Sequence, residues 1–448
     1  MTLARRDFLS AATAGLFPGF LQPTDSAAQA NCCGLSVNVR AAPYQARGDG
    51  RTNDTSAIQA AVRAVASAGG GVIELPAGDY VVDTIRIPAV RGGTIRFVGQ
   101  GWSYDAGANT RLVSGSPLPM FEPASGVNGI ELSLVHLDGA NIGTYGWYGQ
   151  WGNKTRLLNV LVDRFTRAGV YFNQGLCELR QSYVRNNRGI GVRTSSDGWF
   201  SGCEIAANGG VGMLVAGGGN RITDNLVNSN GSYGIHISGK ETPSNLINSI
   251  IGGYIGENVG QNIFIEGIIP ENRNVGYNSI IGCYIQQTGP KRAGGIRIRN
   301  ARQTQIVGLN YLGGPNDTGC ITMESCDSSQ VSGVASSYSS GNIVRLSRCD
   351  DVSISGITSR DNALPTTPAE GTYAIFIDAG CNRCSATDVR VTDARSRQLA
   401  RGIRNEGAGT IILGAYAFTG ASNPDSFGSA AVHTYDVQSR QWRTRGGG

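Results

Sequence analysis

Short apolar triplets, each entered from a small residue and left through a small or polar one, recur through the middle of the chain. They read Gly169-Val170-Tyr171-Phe172, Gly191-Val192-Arg193-Thr194, Gly212-Met213-Leu214-Val215, Gly234-Ile235-His236-Ile237, Asn262-Ile263-Phe264-Ile265, Gly295-Ile296-Arg297-Ile298 and Cys320-Ile321-Thr322-Met323. The steps are 22, 21, 22, 28, 33 and 25 residues. Between them sit further short strands such as Cys203-Glu204-Ile205 and Gly253-Tyr254-Ile255. A unit of this length with three strands and three turns is one coil of a parallel β-helix, each strand pairing with its counterpart in the next coil. Strands about 4.8 Å apart make a rod of roughly 50 Å from about ten coils. The longer steps carry an insertion in one turn. Asn187, Asn208, Asn230 and Asn258 fall at one turn of successive coils, where side-chain amides can stack into a hydrogen-bonded ladder. A leucine-rich repeat would need a regular Leu frame, and a β-sandwich would show no fixed period.

Alternation divides each phrase into inward and outward positions. Val170, Val192, Met213, Ile235, Ile263, Ile296 and Ile321 point in. Tyr171, Arg193, Leu214, His236, Phe264, Arg297 and Thr322 line up outward, and the next outward column holds Asn173, Ser195, Ala216, Ser238, Glu266, Arg299 and Glu324. Upstream, Asp54 or Thr55 can cap a helix whose Ile58, Ala61, Val62 and Val65 share one face and which stops at Gly69-Gly70-Gly71, suited to covering the open apolar end of a solenoid.

The stretch Gly48-Asp49-Gly50, Asn53-Asp54-Thr55, Ala57-Ile58-Gln59, Gly69-Gly70-Gly71-Val72 and Leu75-Pro76-Ala77-Gly78-Asp79-Tyr80 resembles the N-terminal signature of the pectate-lyase-like right-handed β-helix superfamily. That superfamily includes polysaccharide lyases, pectin-type glycoside hydrolases, epimerases and viral tailspikes. The resemblance implies an all-β, right-handed parallel β-helix with an N-terminal capping helix. It speaks for a scaffold more than for a reaction. The expected organisation is an export signal over 1–30, a cap and first coils over 31–125, a coil stack over 126–418 and a tail over 419–448.

Composition agrees with turn-rich β structure: 65 of 448 residues are Gly and only 16% are charged, which disfavours a helical bundle. The glycines are expected at turns and at the entry to each repeated strand. Arg5-Arg6-Asp7-Phe8-Leu9, a short apolar run and Ala28-Gln29-Ala30 read as a twin-arginine export signal, placing the mature chain in the periplasm or outside the cell. That route carries folded chains out of a reducing compartment, so several of the ten Cys are expected as buried thiols, with Cys326, Cys349 and Cys381 forming a structural ladder at one turn. A net charge of +5 is compatible with an acidic partner. No phosphate-binding loop or nucleophile elbow appears, and three His make a His-rich zinc site improbable.

The outward columns therefore carry the candidate chemistry. Tyr171 and Phe264 beside Arg193, Arg297 and Arg299 suit a groove for acidic sugars, because rings stack on sugars and guanidinium groups fork onto carboxylates. The alternative for the charges is a solvated Glu266–Arg299–Glu324 salt-bridge ladder. Tyr145, Trp147, Tyr148 and Trp151, alternating with Gly in what reads as a loop, are expected to form a stacking platform, with a subunit interface as the rival. The favoured chemistry is β-elimination, with Arg193 or Arg297 neutralising a uronate carboxylate and His236 or Tyr171 as base. Hydrolysis or fructosyl transfer would need two carboxylates, such as Glu266 with Glu324, roughly 10 Å apart by strand spacing, or Asp197 with Glu204, or Asp163. Gly380-Cys381-Asn382-Arg383-Cys384-Ser385 resembles β-helical inulin fructotransferases. The hydrolase motifs of polygalacturonases and the calcium cluster of pectate lyases are not found, so no metal ligand is assigned and calcium stays open. The expected partner is a polysaccharide or oligosaccharide, not nucleic acid or membrane. The resemblance also admits a homotrimer, and a glycan-binding solenoid without catalysis is the non-enzymatic alternative.

Overall fold

The computed structural model describes residues 34–445 without 91, 103–108, 150–153, 174, 241–246, 268–274, 290–293, 315–316, 362–372, 393–400, 408–410, 413–415, 420–424, 428–431 and 437–440. The export signal and Trp151 lie outside the described residues. No described helix is long and apolar enough to cross a membrane.

A 14-stranded parallel sheet takes one strand from each coil, from Ile85–Ile87 at one end to Asp425–Phe427 at the other. The stack is somewhat longer than the repeated phrase alone shows, because early strands such as Phe121–Pro123 and late ones such as Asn342–Ser347 lack the leading glycine. The remaining walls are two ladders within a 26-stranded sheet. One runs through Arg156, Glu178, Trp199 and Arg221, the other through Leu161, Tyr183, Glu204 and Leu226. They merge where the long strands Gln330–Ser337, Ser353–Arg360 and Ser385–Thr392 continue along both.

The inward positions of the phrase form the axis of one continuous core, and none of the seven is more than 2% exposed. Each buried Val or Ile contributes about 1.5–3 kcal/mol, which is what the alternating pattern secures in every coil. The helix α1, Thr55–Ser67, buries Ile58, Ala61, Val62 and Val65 against the first strands, as its spacing predicts. Asp54, the residue just before it, makes no side-chain cap; the carboxylate instead accepts the backbone N–H groups of Arg47 (2.7 Å) and Gly48 (2.9 Å), fixing the loop that leads into the helix.

The Asn ladder is present and runs further than expected. Asn187 donates to Asn208 (2.9 Å), Asn208 to Asn230 (3.0 Å), Asn230 to Asn258 (2.9 Å), and Asn258 to Asn262 (2.8 Å), which continues to Gln287. A second ladder, Asn220–Asn248–Asn278, closes another corner. The residue before each amide of the first ladder, Asn186, Ala207, Ser229 or Glu257, has φ between 51 and 57° and is not glycine. That turn is therefore held by the amides. Glycine is needed one strand later: a Cβ on Gly191 would lie 2.6 Å from both Asn208 Nδ2 and the Gly212 carbonyl oxygen, and Gly212 and Gly234 are equally confined. Close backbone approach above the ladder, rather than turn geometry, keeps the phrase opening on Gly.

Candidate functional site

Strand register puts the predicted outward column in one line. Tyr148 lies beside Tyr171, then Arg193, Leu214, His236, Phe264, Arg297 and Thr322 follow in neighbouring strands. The line continues through Arg345, Phe376 and Arg404, which the sequence reading did not reach. Side chains on this face separate into three neighbourhoods.

Tyr145, Tyr148 and Tyr171 form the first: Tyr145 stacks on Tyr148 at 4.6 Å between ring centroids, and Tyr148 meets Tyr171 at 5.1 Å. The Arg193 guanidinium lies 4.6 Å over the Tyr171 ring and donates to Asn173 (3.4 Å). The expected Tyr145–Trp151 loop is instead a strand, Tyr145–Gly149. Trp147 is fully buried and stacks on Phe121 at 5.7 Å. Gly146-Trp147-Tyr148 is one more copy of the repeated phrase, with Trp147 in register with Val170. The indole belongs to the core, and only Tyr145 and Tyr148 remain as platform.

His236 centres the second neighbourhood. Its ring stacks on Phe264 at 5.0 Å with Tyr233 edge-on at 5.0 Å, and its Nε2 lies 3.2 Å from Glu266 Oε1. Glu266 faces outward yet is only 3% exposed, because Lys240 (3.0 Å) and Arg299 (2.7 Å) close over it. Burial pushes the Glu266 carboxyl up, but the hydrogen bonds from Arg299 and Lys240 and the neighbouring His236 outweigh it and hold it below the ordinary carboxylate range. Glu324 binds Arg297 through both oxygens (2.8 and 3.0 Å). The charges thus form one directly opposed pair, Glu266–Arg299, and one diagonal pair, Arg297–Glu324, rather than one Glu266–Arg299–Glu324 ladder. Tyr233 and Lys240 escaped the sequence reading because both sit beside the phrase, in the turns, where periodicity gives no direction.

The third neighbourhood is a pocket of about 470 Å³ beside Arg297 and Glu324, floored by Thr318, Thr322 and Ser347 and flanked by Arg345 and Arg348. Arg345 lies 5.4 Å over the Phe376 ring. Asp197 stands exposed in a turn with φ 53°, outside both columns. Glu204 belongs to the 26-stranded sheet, where it meets Arg185 at 3.6 Å.

Asp163 is buried on that other sheet in a network missed by the sequence reading. His136, Asp138 and Asp163 bring their ligand atoms within 4.8 Å of one another. His136 Nε2 is 2.9 Å from Asp163 Oδ1, and Asp138 binds Arg164 and lies 3.3 Å from Arg111. Two guanidinium groups already balance the two carboxylates, so the donor set fits a divalent cation poorly. The recurrence of apolar–Asp at Leu137-Asp138 and Val162-Asp163, one coil apart, was the available signal. The eight described cysteines are buried without a disulfide, as expected. Burial pushes the thiols of Cys177, Cys203 and Cys283 up to about 12, which removes them as nucleophiles. Asp327, Asp350 and Asn382 bridge in register, fixing the preceding Cys326, Cys349 and Cys381 at one turn, and the Cys349 N–H donates to Cys381 Sγ (3.4 Å).

Against known proteins, residues 128–264 match the family model "Right handed beta helix region" and residues 36–106 match "Rhamnogalacturonase A/epimerase, pectate lyase-like". Alginate lyase 7 of Azotobacter vinelandii is 56% identical over 48 residues, 11% of this chain and 5% of that protein. Mannuronan C5-epimerase AlgE5 of the same organism is 32% identical over 134 residues, 27% of this chain and 12% of that protein. The matches thus span a small part of these relatives. The solved A-module of A. vinelandii mannuronan C-5 epimerase AlgE4 superposes with a TM-score of 0.58 at 18% identity, covering 82% of this chain and 100% of that one.

Proposed function

From the premise that the chain belongs to the pectate-lyase-like right-handed β-helix superfamily, we propose that it is an exported enzyme acting on a uronate-containing polysaccharide, by proton abstraction at C5 followed by β-elimination. The observation that carries this reading is the setting of His236. It packs in a three-ring cluster with Tyr233 and Phe264, with Arg193 and Arg297 each two strands away along the same line. An ionised Glu266 accepting from Nε2–H leaves the imidazole lone pair on Nδ1, the tautomer a base requires. An arginine on the uronate carboxylate stabilises the charge that develops when the C5 proton leaves. The electron pair then forms the C4–C5 double bond as the C4–O bond breaks, and in this reading the Tyr233 hydroxyl is the acid that protonates the departing oxygen.

Two-carboxylate hydrolysis is less well supported. It needs one carboxyl held protonated, whereas Glu266 is held ionised and Glu324 is clamped by Arg297. Epimerisation shares the first step and differs only in returning a proton to the opposite face of C5; the match to a mannuronan C5-epimerase favours it as the second reading.

Incubating the mature chain with polymannuronate, polyguluronate, polygalacturonate and neutral glycans separates these outcomes. Ultraviolet absorbance of an unsaturated product means elimination. Deuterium entering C5 from heavy water without new ends means epimerisation. New reducing ends without either signal mean hydrolysis and overturn the proposal, as does binding with no conversion at all.

A further inference from the structure

On the outer face, the Arg residues differ in what holds them. Arg299 and Arg297 each lie against a carboxylate, Glu266 and Glu324. The guanidinium groups of Arg345 and Arg348 have no carboxylate within 4.0 Å among the described residues. The Arg345 guanidinium lies over the Phe376 ring (5.4 Å to its centroid), and Arg348 Nε donates to Ser325 Oγ (3.3 Å). The nearby Asp378 carboxylate accepts the N–H groups of Arg348 (3.2 Å) and Gly380 (3.1 Å) on Oδ1 and also takes the Ser347 side chain, so Thr318 and Thr322 are the pocket hydroxyls left for a sugar. The pocket between them therefore contains three guanidinium groups, one carboxylate already committed to Arg297, and the hydroxyls of Thr318 and Thr322.

We infer that this pocket is a carboxylate-binding subsite for a uronate unit of the glycan, with Arg345 and Arg348 as its anion receptors and the hydroxyl groups as partners for the sugar. The inference rests on the proposed polyuronate reading and adds a place and a polarity to it. A guanidinium anchored by a ring keeps its N–H fork available for a carboxylate, whereas one anchored by an acid does not. Four strand steps separate His236 from Arg345 in the column, about 19 Å at the spacing of parallel strands. The bound chain must then run along the helix axis, and an oligosaccharide has to be several units long to touch both places. Its distance makes Arg345 a specificity residue rather than one acting on the reacting carbon.

The test compares the full mature chain with the double variant Arg345→Gln/Arg348→Gln, by calorimetric titration with size-graded oligomannuronates and oligogalacturonates and with their carboxyl-reduced counterparts. The double variant is expected to bind long oligouronates roughly ten- to a hundredfold more weakly. Carboxyl-reduced chains should bind both proteins equally. Thermal melting checks the fold; should the double variant melt early, Arg345→Lys/Arg348→Lys keeps the charge without the fork and is expected to retain only part of the affinity. Equal affinity of wild type and variant for long oligouronates overturns the subsite and leaves the polyuronate reading standing. A wild type that binds none of the oligouronates overturns both.

Discussion

Two outward ladders of this rod use the same residue types to opposite ends. On the 26-stranded sheet, Arg96, Glu131, Arg156 and Glu178 occupy neighbouring strands with signs that alternate strictly. Arg156 reaches both Glu131 (4.0 Å) and Glu178 (3.0 Å), and Arg180 joins Glu178 as well. Such a column neutralises itself. On the 14-stranded sheet the outward line interleaves rings with guanidinium groups, and its acids come in from the second column, where they meet Arg299, Arg297 and Arg404 but not the Arg345 guanidinium. The lesson is that charge count says little and charge order says much: alternation stitches coils together, while arginines separated by rings leave positive charge for a ligand.

The comparison breaks most easily at His236. His236→Ala is expected to lower kcat by about a hundred- to ten-thousandfold. Glu178→Gln on the stitched ladder should leave kcat unchanged and lower stability by no more than about 1 kcal/mol, since its arginine partners are more than half exposed. Steady-state kinetics on the glycan identified in the conversion assay check both. Similar losses from the two variants would erase the distinction between the faces.

What the two ladders share is the interior, and it can be removed without touching either. Asn208 accepts from the Asn187 N–H and amide (3.2 and 2.9 Å) and donates to Val184 O (3.1 Å) and Asn230 (3.0 Å). Asn208→Ala strands these partners in a buried corner and should destabilise the chain by about 3 kcal/mol, read as a shifted denaturation midpoint. The kcat of the protein that remains folded should stay near wild type.

The coil register, the inward column and the amide ladder were legible because a stacked fold writes its packing at a fixed period. Where the period weakens, legibility fails for physical reasons. Trp147 read as a platform because a lone Trp in a Val slot looks like a loop aromatic, yet Gly146, 23 residues before Gly169, marks the same phrase. Arg345 and Phe376 were missed because Ile343 and Ala374 stand where the phrase opens on Gly. The burial of Glu266 depends on Lys240, whose position is set by a turn. The pairing of Arg297 with Glu324 is a diagonal choice that alternation cannot decide.

Acidification should separate the faces again. The Glu266 carboxyl is held below its ordinary value in the folded chain, so its stabilising contribution is complete above the unfolded carboxylate range and is lost as pH falls through the lower folded value. Glu266→Gln removes that loss: its melting temperature should fall less on acidification than that of wild type. Kinetics on the same variant should show a kcat deficit even at neutral pH, because a neutral amide no longer anchors the Nε2–H tautomer of His236. An unchanged acid limb would detach Glu266 from the stability of this face.

The smallest expected difference is between two ring stacks. Tyr148 and Tyr171 meet at 5.1 Å with Arg193 over the second ring, while Tyr254 and Tyr284 stack at 5.7 Å on the opposite sheet. Both pairs span neighbouring coils and both expose ring surface, so aromatic area alone would make either a place for a sugar. If a guanidinium beside the ring is what makes the outer face receptive, Tyr148→Ala should raise KM about fivefold, a change of about 1 kcal/mol, with kcat unaltered. Tyr254→Ala should leave KM where it was. Equal shifts in KM would mean that the chain reads sugar rings through aromatic area on any face, and that the arginines add charge without choosing the side.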